Sequence, residues 1–82
     1  MDNIDIRDGW KIVESLTIYQ KEMICILSQV AGMRLYSTWD CHRHPYISYH
    51  RSLGVSGYWH VCLPEIGYEE LLKELKRIIN ET

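Results

Sequence analysis

The residues of this sequence that are best suited to chemistry lie close together in one stretch. Between Trp39 and Leu63 the chain carries all four of its histidines and two of its three cysteines. An imidazole has an unperturbed pKa of about 6.5, so it can accept or donate a proton at neutral pH, and with thiolates it also binds zinc. If the protein has a reactive site, we expect it in this stretch.

A zinc site is one hypothesis for these residues. Four nitrogen or sulfur ligands complete a structural zinc site. The stretch offers five candidates, which are His44, His60, Cys62, Cys41 and His42. No CxxC pair is present, however, and residues 41–44 are equally well explained as a polar hairpin loop before Pro45. We therefore expect no metal and no cofactor, and a zinc-binding module is the second alternative for the function.

Phosphate chemistry on RNA is the first alternative. His50 and His60 would serve as general base and general acid while Arg34 holds a phosphate. The overall charge opposes broad nucleic-acid binding, because it is -2 with a pI near 6.0. It is uneven, however, because residues 33–64 hold three arginines against one aspartate between two acidic flanks. That basic middle is compatible with a small anionic ligand.

The strands that would position these side chains are indicated by three stretches in which apolar and polar residues alternate. Residues 33–40, 45–51 and 57–63 alternate apolar and polar residues, as half-buried strands do, and the apolar set is odd-numbered in each. An antiparallel meander keeps odd residues opposite odd residues only if its loops have an odd number of residues. The pattern therefore predicts three strands, with a loop of three or five residues centred on Gly54.

Two helices are predicted on either side of these strands. Thr17 and Gln20 have the spacing of a capping box, and Gly32 suits a helix end, so the first helix is expected over residues 17–31. Its predicted core-facing residues are Tyr19, Met23, Ile26, Leu27 and Val30.

The second helix is expected after Pro64. Glu69 and Glu70 would lie in its first turn, where the helix dipole favours negative charge. Its apolar stripe comprises Tyr68, Leu72, Leu75 and Ile79, flanked by Leu71 and Ile78. Residues 1–9 read as a polar lead-in. Residues 10–16 fit either a helical turn, through Trp10, Val13 and Leu16, or a strand, through Trp10 and Ile12, and we favour the helical turn.

These elements predict one α+β domain over residues 1–82. The predicted order is α-β-β-β-α, with a three-stranded antiparallel sheet, both helices packed on its odd-numbered face and the other face open. At 82 residues the core is thin, so nearly every apolar residue should be needed to build it.

The open sheet face is the predicted functional surface. Its candidate partner-binding residues are Arg34, Tyr36, Tyr46, His50, Tyr58 and His60. Tyrosine and arginine are enriched in protein interfaces, although the same residues also serve as ordinary cross-strand pairs. We expect a non-enzymatic protein-interaction module, a regulator or inhibitor with a protein partner and no catalytic residue. An exposed sheet edge leaves a homodimer open as well.

The expected location is the cytoplasm. Three cysteines is an odd number, and the N-terminus MDNIDIRDG is acidic and has no apolar signal-peptide core. No apolar run approaches the roughly 18 residues of a membrane span, so no membrane association is expected.

Overall fold

The computed structural model describes residues 5–36, 46–57 and 62–81. Along the chain the elements are β1 (Gly9–Ile12), α1 (Ile18–Val30), β2 (Ile47–His50), β3 (Gly54–Ser56) and α2 (Tyr68–Glu81). The three strands form one antiparallel sheet in the order β1-β2-β3. The α+β class, the three-stranded antiparallel sheet and the two helices are confirmed.

The first strand of this sheet precedes α1, at a place where a helical turn was predicted. Trp10 pairs with Tyr49 and Ile12 with Ile47, so β1 lies directly against β2. All four residues of β1 are buried. The prediction of a helical turn is wrong: the strand that Trp10 and Ile12 also fitted is the element that forms, and four residues are too few for their spacing to separate the two periods.

The segment after α1 contributes less to the sheet than predicted. Within its described part, Leu35 forms a single parallel bridge to Val55. The Tyr36 N–H donates to the Val55 carbonyl at 2.9 Å, and the Val55 N–H donates to the Arg34 carbonyl at 2.9 Å. Three extended segments therefore follow α1, as predicted, but the described residues 33–36 of the first run parallel to β3 and not beside β2. Residues 37–40 of the predicted strand lie outside the described residues.

The β2–β3 hairpin is shifted relative to its prediction. β3 occupies Gly54–Ser56, where a loop was expected, and His50 pairs with Gly54 across a connection of residues 51–53. The Leu53 N–H donates to the His50 carbonyl at 2.9 Å and closes this turn. The odd loop length is confirmed, and its centre is Ser52. The predicted strand over residues 57–63 lies mostly outside the described residues.

The opposite edge of the sheet is also bonded to a flanking segment. Lys11 forms a parallel bridge to Glu65. The Lys11 N–H donates to the Pro64 carbonyl at 2.9 Å, and the Ile66 N–H donates to the Lys11 carbonyl at 3.0 Å. Both edge strands therefore have backbone partners within the chain, which leaves less free edge for pairing with a second molecule than predicted.

The main core lies between one face of the sheet and the two helices. It joins strand residues Trp10, Ile12, Ile47, Tyr49 and Val55 to Ile24 and Cys25 of α1 and to Leu71, Leu75 and Ile78 of α2. The rings of Trp10 and Tyr49 stack with centroids 6.1 Å apart. Packing of both helices on the face that carries Ile47 and Tyr49 agrees with the predicted parity.

The second face of the sheet is not open at its centre, contrary to the prediction. Ser48 and Ser56, which pair on this face, are 2% and 1% exposed. Leu63 lies against Gly9 on this side, since a methyl group on Gly9 would be 2.8 Å from Leu63 Cδ2. Burial on both faces therefore extends from β1 to β3.

The helices agree closely with their predicted bounds. The Thr17 side chain accepts from the Gln20 N–H at 3.1 Å, and the Gln20 side chain accepts from the Thr17 N–H at 2.8 Å, which completes the capping box. At the start of α2, Glu14 Oε1 accepts from the Tyr68 N–H at 2.8 Å. This bond places a carboxylate where the helix dipole favours one.

Candidate functional site

The predicted sheet-face residues are partly brought together. Strand alternation about the core-packed Leu35 places Arg34 and Tyr36 on the same side of the sheet as Ser48 and His50. Arg34 is exposed and Tyr36 is half-buried. The shared face is therefore as predicted for these four residues, although β3 lies between Arg34 and β2.

Arg34 and His50 meet at the β2–β3 turn. Arg34 Nη2 donates to the Ser52 carbonyl at 2.6 Å. His50 Nδ1 accepts from the Ser52 N–H at 3.2 Å and lies 2.6 Å from Ser52 Oγ. Both side chains are thus hydrogen-bonded to Ser52.

The remaining predicted site residues divide into two groups. Tyr46 precedes β2 and is exposed. Tyr58 and His60 lie outside the described residues, so the pairing of His50 with His60 stays a prediction. The zinc candidates Cys41, His42 and His44 also lie outside them, and Cys62 is an exposed free cysteine. Within residues 5–36, 46–57 and 62–81, no three His, Cys, Asp or Glu side chains are grouped so as to hold a metal.

The two described pKa shifts belong to α2. Burial raises the pKa of the Tyr68 phenol above 10.0, and the Glu69 carboxylate raises it further. Hydrogen bonds to Glu74 and then to Glu81 raise the pKa of the Arg77 guanidinium. Only Arg77 forms surface ion pairs along the helix, and neither group resembles a general acid or base tuned to neutral pH.

A groove of about 560 Å³ runs beside α2, but its charges are balanced. It is lined by Ile66, by the basic residues Arg7, Lys73 and Arg77, and by the acidic residues Asp5, Glu70 and Glu74. Arg77 pairs with Glu74 at 3.2 Å within this lining. The groove therefore presents no excess of either charge to select a ligand.

The outer side of α1 carries exposed apolar residues. Of the residues predicted to face the core, Leu27 packs against it, but the prediction is wrong for the other four. Four large apolar side chains are exposed there: Tyr19 at 83%, Met23 at 44%, Ile26 at 56% and Val30 at 60%. We call these four residues the α1 stripe. Single exposed apolar residues are ordinary, but contiguous ones are typical of interaction sites.

Helix geometry makes the α1 stripe narrow and continuous. Successive residues are rotated by about 100°, so positions separated by four, three and four residues fall within a sector of about 60°. The buried residues of α1 are Lys21, Ile24, Cys25 and Ser28. By the same rotation they centre about 180° from the α1 stripe. The helix therefore turns one face to the core and the opposite, more apolar face to solvent.

The rims of the α1 stripe are polar on one side and mixed on the other. Glu22 and Gln29 follow one rim, and Gln20 and the half-buried Leu27 follow the other. Gln29 Nε2 donates to the Cys25 carbonyl at 3.3 Å, which holds that side chain along the helix. The α1 stripe itself contains no charged residue.

A sequence signal for the α1 stripe was present. Residues 18–30 include apolar side chains on every side of the helix, and such a helix is normally covered all round. Periodicity alone identified the more apolar of the two faces and assigned it to the core.

No protein-family model, curated protein or solved structure matches this chain. Neither described helix combines the length and apolar character that crossing a bilayer requires.

Proposed function

We propose that the protein is a small, non-enzymatic interaction module, a regulator or inhibitor that docks onto a partner protein through the α1 stripe. The observation that carries the proposal is the exposure of Tyr19, Met23, Ile26 and Val30 on one face of a capped helix. A chain of 82 residues has few apolar side chains to spare from its core. Four of them in one solvent-facing row favour a surface that is covered on binding.

The chemistry of the α1 stripe suits a protein partner. Tyrosine and methionine are enriched in interface cores, where charged residues are depleted. Because these side chains project from a helix, docking orders little backbone, and helix-in-groove or helix-on-helix recognition reads such i, i+4, i+7 anchors. Removing apolar surface from water contributes about 25 cal/mol per Å², which supplies the driving force.

Ser48 and Ser56 are buried, so the centre of the sheet face is not accessible to a partner. This favours the α1 stripe as the main docking surface. Arg34, Tyr36, Tyr46 and His50, with Tyr58 and His60, remain a second proposed contact region. The proposal also includes a reducing, cytoplasmic setting, in which Cys25 and Cys62, neither of them in a disulfide, would stay reduced.

Photo-crosslinking inside the producing cell tests this proposal. We expect a benzoyl-phenylalanine at Tyr19 to give protein adducts on irradiation, because its ring would lie in the covered interface. The same probe at Lys73, on exposed α2, is the matched control and should give none. Ile26→Lys combined with the probe at Tyr19 should abolish the adducts. Equal labelling from both probe positions, or no adduct from position 19, would overturn the proposal.

A further inference from the structure

We infer that the partner seated on the α1 stripe is a second copy of this chain, with the two α1 helices packed antiparallel about a two-fold axis. The inference rests on the proposed function and names the occupant of the same surface. A two-fold interface requires a self-complementary patch. The α1 stripe has the spacing for one, because the intervals between its four residues are four, three and four in either direction.

Antiparallel packing matches the side chains in size. The axis passes midway between Met23 and Ile26, so Met23 of each copy meets Ile26 of the other, and Tyr19 meets Val30. We call the line of contact between the two α1 stripes the seam. At both of its ends a large residue thus faces a smaller one, as interdigitating layers require. Parallel packing would instead place Tyr19 against Tyr19 and Val30 against Val30, which crowds one end and leaves the other thin.

The rims also favour the antiparallel arrangement. A two-fold axis perpendicular to the helices brings the same rim of both copies together, so Glu22 comes beside Gln29 of the second copy. A carboxylate can accept from a side-chain amide N–H there, whereas parallel packing would place Glu22 beside Leu27. Antiparallel helix dipoles attract each other as well.

The orientation of α1 and the charge of the chain are compatible with this approach. Because the α1 stripe lies opposite the buried residues Ile24 and Ser28, the two sheets point away from each other and the helices can reach the usual separation of 8 to 10 Å. Each chain has a formal net charge of -2, but the seam holds no charged side chain, so no like charges are buried.

The size of the seam sets the expected affinity. From Tyr19 to Val30 it is about 17 Å long at the rise of an α-helix. Such a seam covers less than the roughly 800 Å² per partner of a standard interface, so we expect a weak dimer with a Kd of roughly 10 to 500 µM.

Sedimentation velocity of the purified full chain across that concentration range tests the inference. The wild type should shift from monomer to dimer, and Ile26→Lys should raise the Kd at least about tenfold, because it places a charge in the seam. Val13→Lys is the matched control, since Val13 is an equally β-branched, exposed residue outside α1. Circular dichroism confirms that each variant is folded, and Met23→Lys replaces Ile26→Lys if that variant is not.

Crosslink mapping decides the orientation. With benzoyl-phenylalanine at Tyr19, trypsin separates residues 12–21, which carry the probe, from residues 22–34, which contain Val30. In material of dimer mass, the antiparallel seam predicts that 12–21 of one copy is joined to 22–34 of the other, with the attachment located by fragment-ion sequencing at or beside Val30 and not at Met23. Joining of 12–21 to 12–21 would overturn that arrangement.

The two proposals fail separately. A wild type that stays monomeric at every concentration, or a dimer that Ile26→Lys leaves intact, overturns self-association through α1. If adducts of other masses still form at position 19 in the cell, the docking function stands with a different protein as partner. If neither self-adducts nor other adducts form there, both proposals are wrong.

Discussion

At the scale of single residues, Ser28 shows how unusual the core-facing side of α1 is. Ser28 is fully buried beside Ile24 and Cys25, and its Oγ has no hydrogen-bond partner among the described residues. A buried hydroxyl without a partner costs about 1 to 3 kcal/mol of desolvation. The helix thus buries polar groups on its inner face while it exposes apolar ones on its outer face.

Replacing Ser28 by alanine should therefore stabilise the fold. We expect Ser28→Ala to raise the free energy of unfolding by about 1 kcal/mol, because the unsatisfied hydroxyl is lost and alanine is the better helix former. Urea denaturation measures the change. The exposed Ser15 is the control, and Ser15→Ala should stay within about 0.5 kcal/mol of the wild type. A clear loss of stability in Ser28→Ala would show that the hydroxyl is bonded.

At the scale of elements, the backbone of residues 34–36 approaches the edge strand β3 closely at Gly54, where no side chain intervenes. A methyl group on Gly54 would lie 2.7 Å from the Arg34 carbonyl oxygen and 3.2 Å from the Tyr36 nitrogen. Both neighbours are backbone atoms of the segment that bridges to Val55, so they cannot move without breaking the bridge. Gly54 also has φ +102°, which other residues rarely adopt.

A pair of glycine substitutions separates these two effects. Gly32 has a similar φ of +96°, but no atom within 4 Å would meet a methyl group there. We expect Gly32→Ala to lose about 1 kcal/mol from backbone strain alone, and Gly54→Ala to lose more than about 2 kcal/mol because the clash is added. Thermal unfolding of both variants measures the difference. Equal losses would contradict the close approach of Arg34 to β3.

The elements also show which structure can be predicted from local signals. Both helices were located correctly, because the capping box at Thr17 and the glutamates after Tyr68 act within a few residues. Of the strands, β2 lies within its predicted range of residues 45–51. β1 was missed because its four residues fit a helical turn as well as a strand, and β3 because it is a short Gly-Val-Ser segment that resembles a loop. Their pairing is set by long-range contacts that periodicity does not contain.

The candidate site was predictable only in part. Alternation correctly placed Arg34, Ser48 and His50 on a common face, but it could not show that Ser48 is buried there. Apolar residues lie on opposite sides of α1, so either side of the helix could pack against the core. Which side does so depends on how the helix meets the sheet. The exposed orientation of Tyr19 and Ile26 therefore emerges only from the folded structure.

At the scale of the whole molecule, the domain divides its apolar residues between two tasks. The main core holds the helices to one face of the sheet, and the α1 stripe remains outside it. A domain of this size is only marginally stable, so apolar residues left in solvent bring no gain in folding. The division agrees with a molecule whose outer α1 face is completed by another protein chain.

The most direct test of this account compares two isoleucines that are two residues apart in α1. Ile24 is fully buried and Ile26 belongs to the α1 stripe. In dilute, monomeric protein, we predict that Ile24→Ala lowers the free energy of unfolding by about 2 to 5 kcal/mol, or leaves the chain unfolded, because it creates a core cavity. Ile26→Ala should change it by less than about 0.5 kcal/mol. A loss in Ile26→Ala as large as that in Ile24→Ala would show that the α1 stripe is part of the core and would contradict the account.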